Sequence, residues 1–151
     1  MTLTEQLFAW AEAGEAEPLL AQLDADPGLL CVRRPLPDSD GPQEWPTLLQ
    51  VAAQHGHLPL VLALAERGVN LYERGQWGYP AVIHAAWAKQ EPVVAWFLGE
   101  GAARMNIDPT YGLGVEINLA GRMGWTDIVR AHLERDPLAA NILFRMGPQR
   151  F

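Results

Sequence analysis

Four histidines are the residues in this sequence whose side chains most readily bind a metal ion. His55 and His57 flank Gly56, whereas His84 and His132 stand alone. A zinc site needs about four ligands that converge on one point. Because these histidines fall on different faces of different predicted helices, we expect neither a metal site nor any other cofactor.

Acid–base catalysis and phosphate binding are the other chemistries that the residue types suggest. Asp108, Glu116 and Asp127 could supply a carboxylate pair, but scattered acids usually lie on solvated surfaces. Residues 112–114, Gly-Leu-Gly, lack the preceding strand and the further glycines of a phosphate loop, which favours a flexible finger instead. We therefore expect no catalytic residue and no enzymatic activity.

The composition is typical of a folded, cytoplasmic chain. Hydrophobic residues make up 49% of the 151 residues, which is enough for a core. No apolar run reaches the roughly 18 residues of a membrane span. The single cysteine, Cys31, excludes an internal disulfide and fits a reducing cytosol. We expect a cytoplasmic and bacterial protein.

Negative charge is concentrated in the first third of the chain. Residues 1–50 hold nine of the 18 acids but two of the 11 bases, and the net charge is −7. This balance disfavours a nucleic-acid partner, because phosphate binding depends on clustered Lys and Arg. We interpret the acidic third as a solvated cap, with an acidic binding surface as the alternative.

A helical unit recurs four times along the chain. In each unit the pattern predicts a short helix, a tight corner and a second short helix with an apolar stripe. The equivalent small residues, spaced by 42, 33 and 35 positions, are Ala11, Ala53, Ala86 and Gly121. The predicted left-handed corner residues are Gly14, Gly56 and Gly124. No alternating strand pattern is present.

The second and third units carry the most specific motifs. Residues 47–57 read TLLQVAAQHGH, and residues 80–86 read PAVIHAA, with Lys89-Gln90 at the next corner. These motifs resemble the ankyrin repeat signature, Thr-Pro-Leu-His-x-Ala-Ala followed by Gly-His. The resemblance implies an all-α fold, an ankyrin-repeat solenoid of stacked helix–turn–helix units with projecting loop fingers. It also implies that His57 joins neighbouring backbones through its ring nitrogens.

We predict one domain over residues 1–151, with divergent outer units. The four units span residues 3–32, 46–77, 78–110 and 113–141. A proline-rich finger, 33–45, is inserted after the first unit, and a tail, 142–151, follows the last. Thr2 and Glu5 predict a capping box at the start of the first helix. Gly68 and Gly101 are expected to end the second helices of the middle units.

The resemblance also implies a protein-binding face, made by the first helices and the fingers. In this family the residues after each Ala pair face a concave groove, and aromatic, Arg and Met side chains are typical of interface hot spots. The predicted partner-binding residues are Gln54, His55, Gln76, Trp77, Tyr79, Trp87, Tyr111, Arg122 and Met123.

Two kinds of alternative stay open at this point. The aromatic side chains could instead pack the loops against the helices, with Trp77 against Trp45 and Trp87 beneath residues 107–114. We predict a monomeric scaffold that binds a protein partner, as an inhibitor or a chaperone, and that binds neither nucleic acid nor membrane. The alternatives are a small enzyme or ligand-binding protein that uses the finger-lined groove, and a self-assembling structural module.

Overall fold

The structure, a computed structural model, describes residues 1–104 and 114–135, without the side chains of 114, 115 and 135. Within these ranges the chain consists of short helices and loops, and its extended pairings are two isolated bridges, Arg33–Thr47 and Arg74–Pro80. The predicted all-α class is confirmed. The chain divides into two compact units, Met1–Val93 and Val94–Phe151. The single domain stays a prediction.

The first unit is a two-layer stack of antiparallel helix pairs. Its helices are α1 (Leu3–Ala13), α2 (Ala16–Ala25), α3 (Leu48–Gln54), α4 (Leu58–Glu66), α5 (Ala81–Trp87) and the first residues of α6 (Glu91–Trp96). Short 3-10 turns cover Pro27–Cys31, Pro42–Glu44 and Gln76–Gly78. Helix α1 packs against α3 and α3 against α5, while α2 packs against α4. First helices therefore form one layer and second helices the other.

The core of this unit lies along α3 and α5. Residues 48–53 and 81–86 are buried without exception. Small Ala side chains near the end of each helix allow close approach of the neighbouring backbone, and Ala52, Ala53 and Ala85 are fully buried. No helix of the described residues is both long enough and apolar enough to cross a membrane.

Local sequence signals fix the helix ends of the first pair. Thr2 Oγ1 accepts a hydrogen bond from the Glu5 amide at 3.1 Å, and Glu5 Oε2 accepts one from the Thr2 amide at 3.2 Å. The predicted capping box is therefore confirmed. Gly14 and Gly56 end their helices with φ values of +76° and +77°, as the corner pattern predicted.

The corners after α3 and α5 are each hydrogen-bonded to the end of the first helix of the preceding repeat. The Nε2–H of His57 donates to the carbonyl oxygen of Glu12 at 2.6 Å, so the predicted backbone-joining role of His57 is confirmed. One repeat later, Nε2 of Gln90 donates to the carbonyl oxygen of Gln54 at 3.2 Å. Lys89 takes the place of the corner glycine, with φ at +63°. His57 and Gln90 thus make equivalent hydrogen bonds between neighbouring repeats, although they are different residue types.

Replacing Lys89 by glycine is expected to raise the free energy of unfolding by about 0.5–1 kcal/mol. A left-handed conformation costs a residue with a Cβ about 1–2 kcal/mol, and glycine removes that strain. The greater flexibility of glycine in the unfolded chain offsets part of the stabilisation. Urea unfolding monitored by circular dichroism measures the change. Lys89→Ala keeps the Cβ and should give no gain; equal stabilisation by both variants would contradict this explanation.

The second unit contains the remaining described helices. After α6, a π-helical turn (Phe97–Gly101) leads into α7 (Ala102–Arg104), and α8 (Gly114–Arg122) packs against α9 (Thr126–Arg135). Gly124 has the predicted left-handed corner conformation, with φ at +80°.

The expectation that Gly101 ends a helix is wrong, whereas the same expectation for Gly68 is confirmed by its φ of +85°. The chain stays helical through Gly101 and continues into α7. Gly101 is buried, and a Cβ there would lie 3.1 Å from the ring of Trp96. The glycine therefore makes room for an aromatic ring in a helical turn instead of ending the helix.

Candidate functional site

The second finger (residues 72–79) is attached to the helices through Gln76. Gln50, a buried residue of α3, accepts from the Gln76 amide at 2.9 Å and donates to Gln76 Oε1 at 3.2 Å. His84, a buried residue of α5, places Nε2 2.9 Å from the Gln76 carbonyl oxygen. Since a carbonyl only accepts, that ring nitrogen carries the proton. These contacts fix the position of the finger tip.

Three large side chains next to this anchor form an exposed aromatic surface, made by Trp77, Tyr79 and Trp87. Their exposed fractions are 65%, 44% and 47%. The Tyr79 and Trp87 rings meet edge to face, with centroids 5.1 Å apart, and the Trp77 and Trp87 centroids are 6.3 Å apart. His84 lies against both indoles, at 5.6 Å from Trp77 and 5.4 Å from Trp87. These spacings make one connected surface.

Trp77 has a strained backbone. Its φ of +60° and ψ of +18° are left-handed, a conformation that costs a non-glycine residue about 1–2 kcal/mol. Glycine would fit this position without strain, and most of the indole is in contact with solvent. The fold therefore gains little from a tryptophan here. Trp45, the alternative packing partner proposed from sequence, donates from Nε1 to Ser39 Oγ at 2.7 Å.

Burial lowers the pKa of His84 below its usual value, and the hydrogen bond to the Gln76 carbonyl opposes that shift only in part. The neutral ring is the form that fits the site, with one N–H directed at Gln76 and two indoles beside the ring. Protonation would place a positive charge beneath the aromatic surface, and the described contacts of the ring, with the Gln76 carbonyl and the two indoles, include no carboxylate.

Acidification is expected to destabilise the first unit through His84. Because the pKa of His84 is lower in the folded chain than in the unfolded one, its contribution is complete above about pH 6.5 and is lost as the pH falls through the folded-state pKa. Urea unfolding at a series of pH values measures this loss. His84→Gln keeps a donor but does not titrate, so its stability should fall less; equal pH profiles would contradict the prediction.

The first finger (residues 33–45) is closed by its own hydrogen bonds and tied to the second finger. Arg33 donates to the carbonyl oxygens of Gln43 and Trp45 at 3.1 Å and 3.0 Å, and pairs with Glu73 of the second finger at 2.7 Å. A cleft of about 290 Å³ lies between the finger tips. Its walls are formed by Leu36, Pro37, Asp38, Ser39, Asp40, Glu44, Gln76 and Trp77.

Residues 49–98 match the family model described as ankyrin repeats, in many copies. This part of the chain, here called the ankyrin segment, is similar to ankyrin repeats. The matched segment contains the second finger, all three residues of the aromatic surface, and both helices that anchor them. Ankyrin repeats generally mediate protein–protein interactions and are typically not enzymes. Comparisons with curated proteins and with solved structures gave no match.

The ankyrin segment brings together four of the predicted partner-binding residues, namely Gln76, Trp77, Tyr79 and Trp87. Gln54 and His55 lie at the end of α3, one repeat before Trp87, on the helix that packs beside α5. Gln54 is half-buried and His55 is exposed, with its Nδ1–H donating to the Val51 carbonyl at 2.9 Å.

The remaining predicted site residues are not part of this cluster. Arg122 and Met123 belong to the second compact unit, where Arg122 is exposed and Met123 half-buried. Tyr111 lies outside the described residues. Partner contacts by these three side chains stay predictions.

Gln50 and His84 anchor the finger, a role that the sequence analysis did not assign to them. Gln50 stands where the ankyrin signature has its histidine, and this substitution by another hydrogen-bonding residue was the available signal. His84 occupies the variable place before the second Ala pair, three residues before Trp87, a spacing that puts both on one helix face.

The histidines of the ankyrin segment are engaged with backbone rather than arranged as ligands. His55, His57 and His84 each direct one ring nitrogen at a carbonyl oxygen. In the part of the chain that the structure describes, no three His, Cys, Asp or Glu side chains are grouped so that they could hold a metal ion.

Proposed function

We propose that this chain is a protein-binding module whose partner docks on the aromatic surface of Trp77, Tyr79 and Trp87. The observation that carries the proposal is the connected exposure of these three rings, two on the finger anchored by Gln76 and one at the end of α5. Trp and Tyr are the residue types most enriched among interface hot spots, because each removes a large apolar area from water at a small cost in side-chain entropy.

The anchoring of the finger supports this function energetically. Ordering a flexible loop on binding takes up part of the interaction free energy. Here Gln50 and His84 already hold Gln76 in the free protein. A partner would meet a preformed surface, so little of the interaction free energy would be spent on ordering the finger.

The neighbouring polar residues are suited to the rim of such an interface. Gln54 and His55 present amide and imidazole groups at the end of α3, and the Gln76 side chain borders the cleft beside Trp77. Interfaces commonly surround an aromatic centre with polar groups that exchange water for hydrogen bonds. The strained Trp77 backbone also fits this proposal, since strain is retained where a side chain serves binding rather than folding.

Affinity capture from the source cells, followed by direct binding measurements, tests the proposal. The immobilised chain and its Trp77→Ala/Tyr79→Ala variant are compared side by side by mass spectrometry. A partner is a protein that the unmodified chain retains and the variant loses, and it is then purified for titration. Equal capture by both chains would contradict docking on the aromatic surface.

A further inference from the structure

The aromatic surface continues into the cleft between the fingers, where acidic side chains line the cleft together with Trp77. Three carboxylate side chains line the cleft, from Asp38, Asp40 and Glu44. Glu44 Oε2 accepts a hydrogen bond from the Asp40 amide at 3.2 Å, which holds this carboxylate in place without neutralising it. Among the residues that the structure describes, no Lys or Arg forms an ion pair with any of the three.

The nearby cations of the first finger are already paired with other acids. Arg33 forms its ion pair with Glu73, and Arg34 forms one with Glu12; both distances are 2.7 Å. The cleft therefore combines an indole wall with three carboxylates whose charge is not compensated by those side chains. This combination is complementary to a cation that also has a flat apolar face.

We propose that the cleft binds an arginine side chain from an extended segment of the protein partner, which rests on the proposed function of the aromatic surface. Guanidinium can stack on the Trp77 indole while its N–H groups donate to the carboxylates. The partner backbone would then run over Tyr79 and Trp87, where apolar side chains find the exposed rings. Charge complementarity selects this occupant: an acidic or phosphorylated segment would meet three like charges.

A pair of tripeptides isolates the charge of the guanidinium. Acetyl-Gly-Arg-Gly-amide and its citrulline counterpart have nearly the same shape, but citrulline is neutral. Each is titrated into the ¹⁵N-labelled chain while the indole N–H of Trp77 and the amides of Ser39 and Asp40 are followed by NMR, which detects dissociation constants near the millimolar range. We expect saturable shifts at these groups with the arginine peptide and at least tenfold weaker binding of the citrulline peptide.

Two variants with the same change in net charge test the location. Asp38→Asn/Asp40→Asn/Glu44→Gln removes the cleft charges while keeping side-chain acceptors, and should abolish the difference between the peptides. Glu15→Gln/Glu17→Gln/Glu66→Gln removes three exposed acids outside the cleft and should preserve it. Thermal melts establish that both variants are folded.

Specific results would overturn the inference. Equal binding of both peptides, shifts confined to other regions, or equal losses in both triple variants would each exclude an arginine site in the cleft. Binding of the captured partner to the variants distinguishes failure of this inference from failure of the proposed function. The partner could bind the cleft triple variant normally and fail to bind the Trp77→Ala/Tyr79→Ala variant. That result would support docking on the aromatic surface and contradict an arginine in the cleft.

Discussion

Replacing Trp77 and Tyr79 together by alanine is expected to weaken partner binding about thirtyfold or more while the fold is retained. Truncating one central aromatic anchor typically costs about 2 kcal/mol of binding free energy, which corresponds to that factor. Both side chains are exposed, at 65% and 44%, and the residues that order the finger, Gln50 and His84, are unchanged. Calorimetric titration of the purified partner measures the loss, and a thermal melt measures retention of the fold.

Two controls separate a specific effect from a general one. Leu3→Ala removes an apolar side chain of similar exposure, 48%, from α1 and should leave binding unchanged. Charge reversal at Glu15 and Glu17 should also have no effect if these acids belong to a solvated cap. If the Trp77→Ala/Tyr79→Ala variant unfolds while its folded fraction still binds, the aromatic residues serve packing and the proposed surface is wrong.

Features that depend on short spacings could be predicted from sequence. The capping box of Thr2 and Glu5 lies within one helical turn, and the corners at Gly14 and Gly56 follow from a repeat whose equivalent residues can be aligned directly. The sequence also showed that the third unit lacks a corner glycine. The structure keeps the corner by placing Lys89 in the left-handed conformation, which no local preference of lysine would indicate.

The error at Gly101 has a different origin. A glycine near the end of an apolar stripe usually marks a left-handed cap, and the same rule correctly identified Gly68. At Gly101 the packing of Trp96 against the helix takes precedence, and this contact depends on side-chain positions that the spacing of small residues does not encode.

The candidate site could be predicted only in part. Exposed aromatic residue types pointed to Trp77 and Tyr79, but their support comes from contacts between distant positions. Gln50 and Gln76 are 26 residues apart, and Arg33 and Glu73 are 40 residues apart. Such pairs cannot be identified from one sequence.

The acidic side of the cleft was missed for the same reason. Composition alone favours a solvated cap for Asp38, Asp40 and Glu44, with an acidic binding surface as the alternative. They line a cleft with Trp77 only because the two fingers meet. The net charge of residues 1–50 does not indicate that the two fingers are in contact.

The largest expected effect on stability is at the contact between Gly14 and His57, which joins the first two repeats. Gly14→Ala should lower the free energy of unfolding by about 3 kcal/mol. Alanine at a φ of +76° costs about 1–2 kcal/mol. A Cβ there would also lie 2.6 Å from Nδ1 of His57, so the ring must move and its hydrogen bond to the Glu12 carbonyl is lost, at about 1–2 kcal/mol more. Urea unfolding measures the total.

Gly68→Ala is the matched control, because its φ is +85° but no atom lies within 4 Å of the added Cβ. It should cost about 1 kcal/mol, the conformational part alone. His57→Ala should cost about 1–2 kcal/mol by itself, and in that background the extra cost of Gly14→Ala should disappear, giving a coupling of similar size. Strictly additive losses, or equal losses for the two glycines, would mean that His57 does not hold the repeats together.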